Sequence, residues 1–311
     1  MISIALATYN GEKFISQQLD SILQQTFSNF EVICVDDNSI DSTYNILEKY
    51  SKADKRIKCF KNKRQLGFKK NFERAISLCT GEFVAFCDQD DVWTENHLQI
   101  LLDNIKDNDI VVANAMMVDG DLNSLNYTMR ECLGIVSVLN DSEYLNRHTL
   151  YRNVFQGAAS MVTESVAKKM IPIPDEVRYH DYWAAAIAAC YKGCAYTDDI
   201  VLYYRQHGAN VTTNKHYTLK NGLINSLNFK SIYDSNVEQK FFLTELLKRC
   251  ESTSLDKINF IKEAIKYYQA ITSFNIIKKT FFFVKQYKYI YYGKEQTVRF
   301  KVLRFIKNVI L

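Results

Sequence analysis

The first 118 residues alternate between two hydrophobic periods, and this alternation limits the fold more than any other feature of the chain. ISIALA (2–7), EVICV (31–35), RIKCF (56–60), EFVAFC (82–87) and DIVVANAMMV (109–118) read as strands. Between them, EKFISQQLDSILQQ puts Phe14, Ile15, Leu19, Ile22 and Leu23 on one helical stripe. FKKNFERAISLC does the same with Phe68, Phe72, Ala75, Ile76 and Cys79. DSTYNILEKY, with Ser39 or Asp41 available as a cap, and residues 94–106 read as two more helices. Strand–helix alternation with short connections predicts an α/β fold, a mostly parallel sheet flanked by helices on both faces. Such sheets bind ligands at the carboxyl ends of their strands, where the strand order switches.

Polar clusters fall at those ends. TYNG follows the first run, DDNS the second and DQDDVW the fourth. Adjacent carboxylates raise one another's pKa unless a cation neutralises them. A hard divalent ion, Mg²⁺ or Mn²⁺, suits Asp88 and Asp90, because such ions bind through one or two carboxylates plus substrate phosphates. The plainer alternative is a solvated turn in which Asp91 or Thr94 caps the next helix. Asp36 and Asp37 end a buried run, and Asn38 suits the left-handed conformation of a tight turn. A carboxylate there can accept a hydrogen bond from the imide of uracil or thymine. In YHDYW, Asp181 opens an alanine-rich helix; it reads either as a cap or as a general base among aromatic side chains.

At 311 residues and 47% hydrophobic content, the chain is long enough for a large domain with an appendage. No apolar run reaches the roughly 18 residues of a membrane-spanning helix. The start, MISIALATYNG, lacks the basic residues of a signal peptide. Eight cysteines are scattered singly without zinc spacing, the pattern of reduced core thiols in a cytoplasmic protein. A division falls near residue 215, beyond which 217–229, 236–250 and 254–274 read as helices. From Lys278 to Leu311, nine basic residues face the one acid Glu295, a balance of +8 that leaves −4 on residues 1–277. Lysine and arginine interleaved with Phe, Tyr and Ile suit an amphipathic helix on an anionic membrane face. Core packing or a homo-oligomer contact is the other use. An acidic body without a recognised module argues against nucleic acid as a partner.

The ordered set ATYNG, VDDNS, GEFVAFCDQDDVW, HDYW and YYRQHGANVT resembles family 2 inverting glycosyltransferases of the GT-A (Rossmann-like) fold over residues 1–212. DQDDVW in particular resembles bacterial polysaccharide enzymes, many of them rhamnosyltransferases. The resemblance implies a catalytic domain over 1–215, with nucleotide-sugar binding in 1–115 and the acceptor side in 116–215, followed by a helical region over 216–311. It implies that Thr8, Tyr9 and Asp37 hold the base, with Asp36 beside them, and that Lys70, Asn71 and Arg205 lie near the donor. Asp90 would ligate Mn²⁺ or Mg²⁺, with Asp88 and His207 at the metal or the donor. Asp181 would be the general base. Gln156, Gly157, His180 and Trp183 would line the sugar and acceptor pocket. The partners implied are a nucleoside-diphosphate sugar, dTDP-L-rhamnose ahead of a UDP-hexose or UDP-N-acetylhexosamine, and a glycan or polyprenyl-linked acceptor at the cytoplasmic membrane face. His180 replaces the glutamate of many relatives, and YRQHG stands in place of the QxxRW of processive synthases, which favours single transfers. A haloacid-dehalogenase-type phosphatase and a non-catalytic sugar-binding relative are the rival readings.

Overall fold

A computed structural model describes residues 1–133, 146, 149–151, 153, 155–207, 229–250, 252–272 and 275–290. The expected division near 215, most of the helix expected at 217–229 and the basic residues beyond 290 lie outside the described residues.

The alternating half folds as its periods dictate. Strands β1 (Ile2–Thr8), β2 (Phe30–Asp36), β3 (Ile57–Lys61) and β4 (Phe83–Cys87) alternate with helices α1 (Ile15–Leu23), α2 (Thr43–Ala53) and α3 (Phe68–Ser77). Ile15, Leu19 and Ile22 of α1 are fully buried, as are Ile4, Leu6 and Phe86 of the strands. Each such side chain contributes about 1.5–3 kcal/mol of transfer free energy. The chain continues through β5 (Val92–Trp93), α4 (His97–Ile105), β6 (Ile110–Val118), β7 (Ser124–Thr128), α5 (Met129–Leu133), β8 (Ser160–Thr163), α6 (Glu164–Lys169), α7 (His180–Cys190) and β9 (Cys194–Arg205).

Among the described residues, nine strands form one sheet in the order β3-β2-β1-β4-β8-β6-β9-β5, with β7 paired to β6. The first four are parallel, with Leu6 opposite both Cys34 and Cys87. Beyond β4 the sheet is mixed: β8 is antiparallel to β4 and β6, and β9 runs parallel to β6. The parallel character foreseen from the alternation therefore belongs to the first half. The chain lays β2 and β3 on one side of β1, then returns β4 to the other. That places a topological switch between the carboxyl ends of β1 and β4, next to Thr8 and Asp88.

Helices α8 (Phe229–Arg249), α9 (Leu255–Ile271) and α10 (Ile276–Ile290) continue the core. Phe242, Leu243, Leu246, Ile261 and Ala264 are buried in the same apolar cluster as the sheet. Tyr182 of α7 stacks on Phe242 at 4.4 Å and its hydroxyl accepts from Gln239 Nε2 at 2.7 Å. All eight cysteines are thiols, buried or half-buried. Among the described residues no helix is long and apolar enough to cross a membrane.

Candidate active site

A cavity of about 420 Å³ opens at the switch between β1 and β4, lined by Thr8, Tyr9, Asp37, Asn71, Phe72, Asp88, Gln89 and Asp90 among others. Its floor is polar because two strands end there on carboxylates. Asp36 turns inward: its oxygens accept from the Ser39 amide at 2.9 Å and the hydroxyls of Ser39 at 2.5 Å and Thr8 at 3.2 Å. It builds the turn, and Asn38 adopts the left-handed conformation (φ 63°) that the turn requires. Asp37 faces the cavity. One of its oxygens accepts from Asn62 Nδ2 and the Leu66 amide, both at 2.7 Å, and the other only from the Gly67 amide at 2.8 Å. A carboxylate offers about four acceptor sites, so Asp37 can take one more donor from a ligand. Asn71 ties this network to β1 and β2, donating to Thr8 O and Val35 O.

The DQDD stretch divides its four residues between scaffold and site. Gln89 exchanges hydrogen bonds with the Tyr9 backbone, accepting from N at 2.8 Å and donating to O at 3.0 Å. A Cβ at position 11 would lie 2.3 Å from Gln89 Oε1, so Gly11 lets the two strand ends approach. Asp91, a cap in the plainer alternative, is fully buried and accepts from the Arg205 amide at 3.1 Å. Burial and its acidic neighbours Asp90 and Asp88 raise its pKa. Asp88 and Asp90 line the cavity. Burial, then the charges of Asp90 and Asp181, push the Asp88 carboxyl up to about 7. His207 Nε2 lies 2.8 Å from Asp90 Oδ2, with its ring 4.8 Å from Phe14.

Among the described residues, no three His, Cys, Asp or Glu side chains form a cluster able to hold a metal by themselves. Asp90 and His207 nevertheless place one oxygen and one nitrogen donor together beside the Asp88 carboxyl on the cavity floor. That set fits a Mn²⁺ or Mg²⁺ ion that takes its remaining ligands from water and a diphosphate.

Asp181 adjoins the cavity. It stands in the first turn of α7, where a carboxylate is favoured by the helix dipole. Its neighbour His180 stacks at 3.9 Å on Phe72 of the cavity wall. Oδ1 accepts from the Tyr182 amide at 2.6 Å and Asn153 Nδ2 at 3.2 Å, and Oδ2 from the Gly157 amide at 3.0 Å. Burial outweighs these donors and raises the carboxyl to about 6. A Cβ at Gly157 would lie 3.1 Å from His180 Nε2, so glycine fits the approach of this loop to α7. His180 is buried, which lowers its pKa to about 3, and among the described residues neither ring nitrogen has a partner. The side-chain amide of Gln156 is also buried, with no partner among the described residues.

Three expected site residues lie elsewhere. Lys70 turns from the cavity to Glu73 Oε2 at 3.0 Å and Ile173 O at 2.9 Å, because α3 packs against the 173–177 segment. Arg205 is 2% exposed and lies behind the motif, donating to Asp90 O, Gly120 O and Gln17 Oε1 at 2.7–2.8 Å. Trp183 is fully buried, with Nε1 donating to Met170 O at 3.0 Å. It is part of the core rather than a pocket wall. Trp183→Ala is expected to lose about 3–5 kcal/mol in denaturant unfolding, the usual cost of such a void. Asn153, Gln65, Phe68 and Tyr204 are site or cavity residues that sequence reading passed over. Tyr204 and Phe68 stand inside quoted motifs, whereas nothing local marks Asn153.

The sequence model of glycosyl transferase family 2 matches residues 3–169. The Escherichia coli UDP-Glc:alpha-D-GlcNAc-diphosphoundecaprenol beta-1,3-glucosyltransferase WfaP is 24% identical over 256 residues, covering 81% of this chain and 96% of that protein. An uncharacterized glycosyltransferase of Haemophilus influenzae is 34% identical over 113 residues, covering 36% of this chain and 35% of its own length. Among solved structures, S. aureus TarS 1-349 in complex with UDP-GlcNAc has a TM-score of 0.59 at 17% identity, covering 99% of this chain and 81% of that one. A mannosyltransferase from Pyrobaculum calidifontis, in complex with GDP-Man and Mn²⁺, has a TM-score of 0.51 at 12% identity, covering 99% and 86%.

Proposed function

The chain belongs to glycosyl transferase family 2 and has the GT-A fold, and from that premise we propose that it transfers a sugar, with inversion, from a nucleoside-diphosphate donor to a glycan or lipid-linked glycan in bacterial surface polysaccharide synthesis. The observation that carries this reading is the convergence of Asp37, Asp88 and Asp90 on one cavity that Asp181 adjoins.

In this reading Asp37 accepts the base imide with its remaining lone pair, while Tyr9, 38% exposed on the cavity wall, packs against the ring. Asp88 takes the ribose hydroxyls. Asp90 and His207 would hold Mn²⁺ or Mg²⁺, which when bound neutralises charge on the departing diphosphate. Asp181 accepts the proton of the acceptor hydroxyl as that oxygen attacks the anomeric carbon opposite the leaving group. One in-line displacement inverts the configuration. Asn153 and the Gly157 amide fix the Asp181 carboxylate from behind. Gln156 and His180 stay in the proposed acceptor region as buried polar groups without partners among the described residues. Lys70, Arg205 and Trp183 act through the scaffold.

The E. coli relative is named for UDP-Glc and for a diphosphoundecaprenol-linked acceptor, and a TarS structure holds UDP-GlcNAc. These names weigh towards a UDP-hexose or UDP-N-acetylhexosamine and a lipid-linked acceptor, above dTDP-L-rhamnose. The phosphatase reading loses its footing with the family assignment. A non-catalytic relative is opposed by the presence of Asp90, Asp181 and His207 in one region.

Calorimetric titration with UDP and with dTDP, each with Mn²⁺, with Mg²⁺ and with EDTA, tests the donor site. UDP binding is expected to need metal and to weaken in Asp90→Ala at least about tenfold, which is about 1.4 kcal/mol. Tighter binding of dTDP would return the rhamnose donor to first place. Failure of both nucleotides with every metal would remove the donor assignment.

A further inference from the structure

The last described helix leaves an apolar stripe bare. On α10, Ile277 is 83% exposed, Phe281 61% and Val284 68%. At about 100° per residue these three fall within roughly 60° of the helix circumference. The opposite side is held in the protein: Phe283, Lys279 and Gln286 are buried, and Gln286 Oε1 accepts from Tyr151 OH at 2.8 Å. The helix is thus fixed on one side and presents the other. Three large exposed side chains in one row are more than the scattered apolar residues of an ordinary surface.

The charge around the stripe is mainly positive. Lys278 and Lys285 are exposed about a quarter-turn to one side of it. On the neighbouring helix α9, Lys262 and Lys266 are exposed, and the carboxylate Glu263 between them is taken up by Lys266 at 2.9 Å and Lys285 at 2.5 Å. Residues 276–290 carry four lysines and no acid. An apolar stripe beside lysines is complementary to a surface that is anionic at its headgroups and apolar just beneath.

We propose that the exposed face of α10 docks the protein on an anionic phospholipid surface, Ile277, Phe281 and Val284 entering the interface and Lys278 and Lys285 meeting the headgroups. This deepens the lipid-linked acceptor reading above and rests on it only for the acceptor; the docking stands on the face itself.

Flotation of the full chain with phosphatidylglycerol-rich vesicles and with phosphatidylcholine-only vesicles tests it. Binding to the former alone is expected, weakening as salt screens the lysines. The triple variant Ile277→Ser/Phe281→Ser/Val284→Ser is expected to bind roughly tenfold or more weakly. Its helix content and metal-dependent UDP binding should be unchanged, since its positions face outward. Absence of wild-type binding to anionic vesicles, or wild-type binding by a folded triple variant, would overturn the proposal. So would a concentration-dependent dimer that the triple variant abolishes without any vesicle binding, which would make the face a contact between copies. Because nucleotide binding is read on the same samples, failure of docking and failure of the glycosyltransferase reading are told apart.

Discussion

Asp181→Asn is expected to lower the rate of sugar transfer by about 10²–10⁴-fold while leaving UDP affinity within about twofold, since Asp181 is assigned to the acceptor and not to the nucleotide. Radiolabelled or mass-spectrometric transfer assays beside calorimetry would check both halves. The pH profile gives a second readout. Burial raises the Asp181 carboxyl from 3.8 to about 6 despite the Tyr182, Gly157 and Asn153 donors. A base must be ionised to accept a proton, so the wild-type rate should fall as pH drops through about 6 and level off above it. In Asp181→Asn the part of that limb centred near 6 should vanish, leaving only what Asp88, raised to about 7, contributes. A variant with wild-type turnover would remove Asp181 as the base. The fold should barely respond. With a folded pKa above the unfolded value, ionised Asp181 costs stability above about pH 6, and this cost is relieved as pH falls from about 6 towards 3.8. Asparagine removes the charge but turns an amide N–H towards the Gly157 N–H, which costs about 1–3 kcal/mol. The two terms oppose, and the unfolding midpoint should move little.

Arg205→Ala is expected to be the most destabilising single change at the site, by about 3–5 kcal/mol, the range for breaking a buried charged network. Arg205 holds three oxygens from three distant parts of the chain and places its guanidinium 4.6 Å over the Phe14 ring. Its loss would leave Asp91 buried without its nearby cation. Asp90 would also lose the side-chain bond to its carbonyl oxygen, so UDP binding should weaken with stability. Arg205→Lys should recover only part of either, because an ammonium cannot reproduce a planar fork of donors. Guanidinium unfolding with calorimetry on the same samples would measure the pair. An Arg205→Ala variant as stable as wild type would show that Arg205 does not brace the motif.

Much of this architecture follows from the hydrophobic pattern of the chain alone. Continuous apolar runs of five to nine residues have to be buried on both faces, and that is where β1, β2, β4 and β6 lie. Because β1 and β4 stop where their apolar runs stop, the positions of Thr8 and Asp88 at one rim follow from the pattern. The mixed half was less legible. β9 runs through YTDDIV, where exposed and buried residues do not alternate cleanly, since it pairs with β6 across a register shift.

The linear sequence by itself determined which carboxylates stand at strand ends, because apolar period and strand length act locally. It also determined that the described residues from 229 to 290 are mostly helical, as α8, α9 and α10. Only the tertiary structure decided which polar residues face the cavity and which brace it. Arg205 and Gln17 meet across 188 positions, and Asn153 and Gly157 reach Asp181 across 28 and 24. Lys70 turns to a carbonyl 103 residues away, and Trp183 is buried edge-on to Phe242 with its indole N–H on the Met170 carbonyl. Whether a cation serves a ligand or the scaffold depends on which distant acceptor reaches it first, and no local period carries that information.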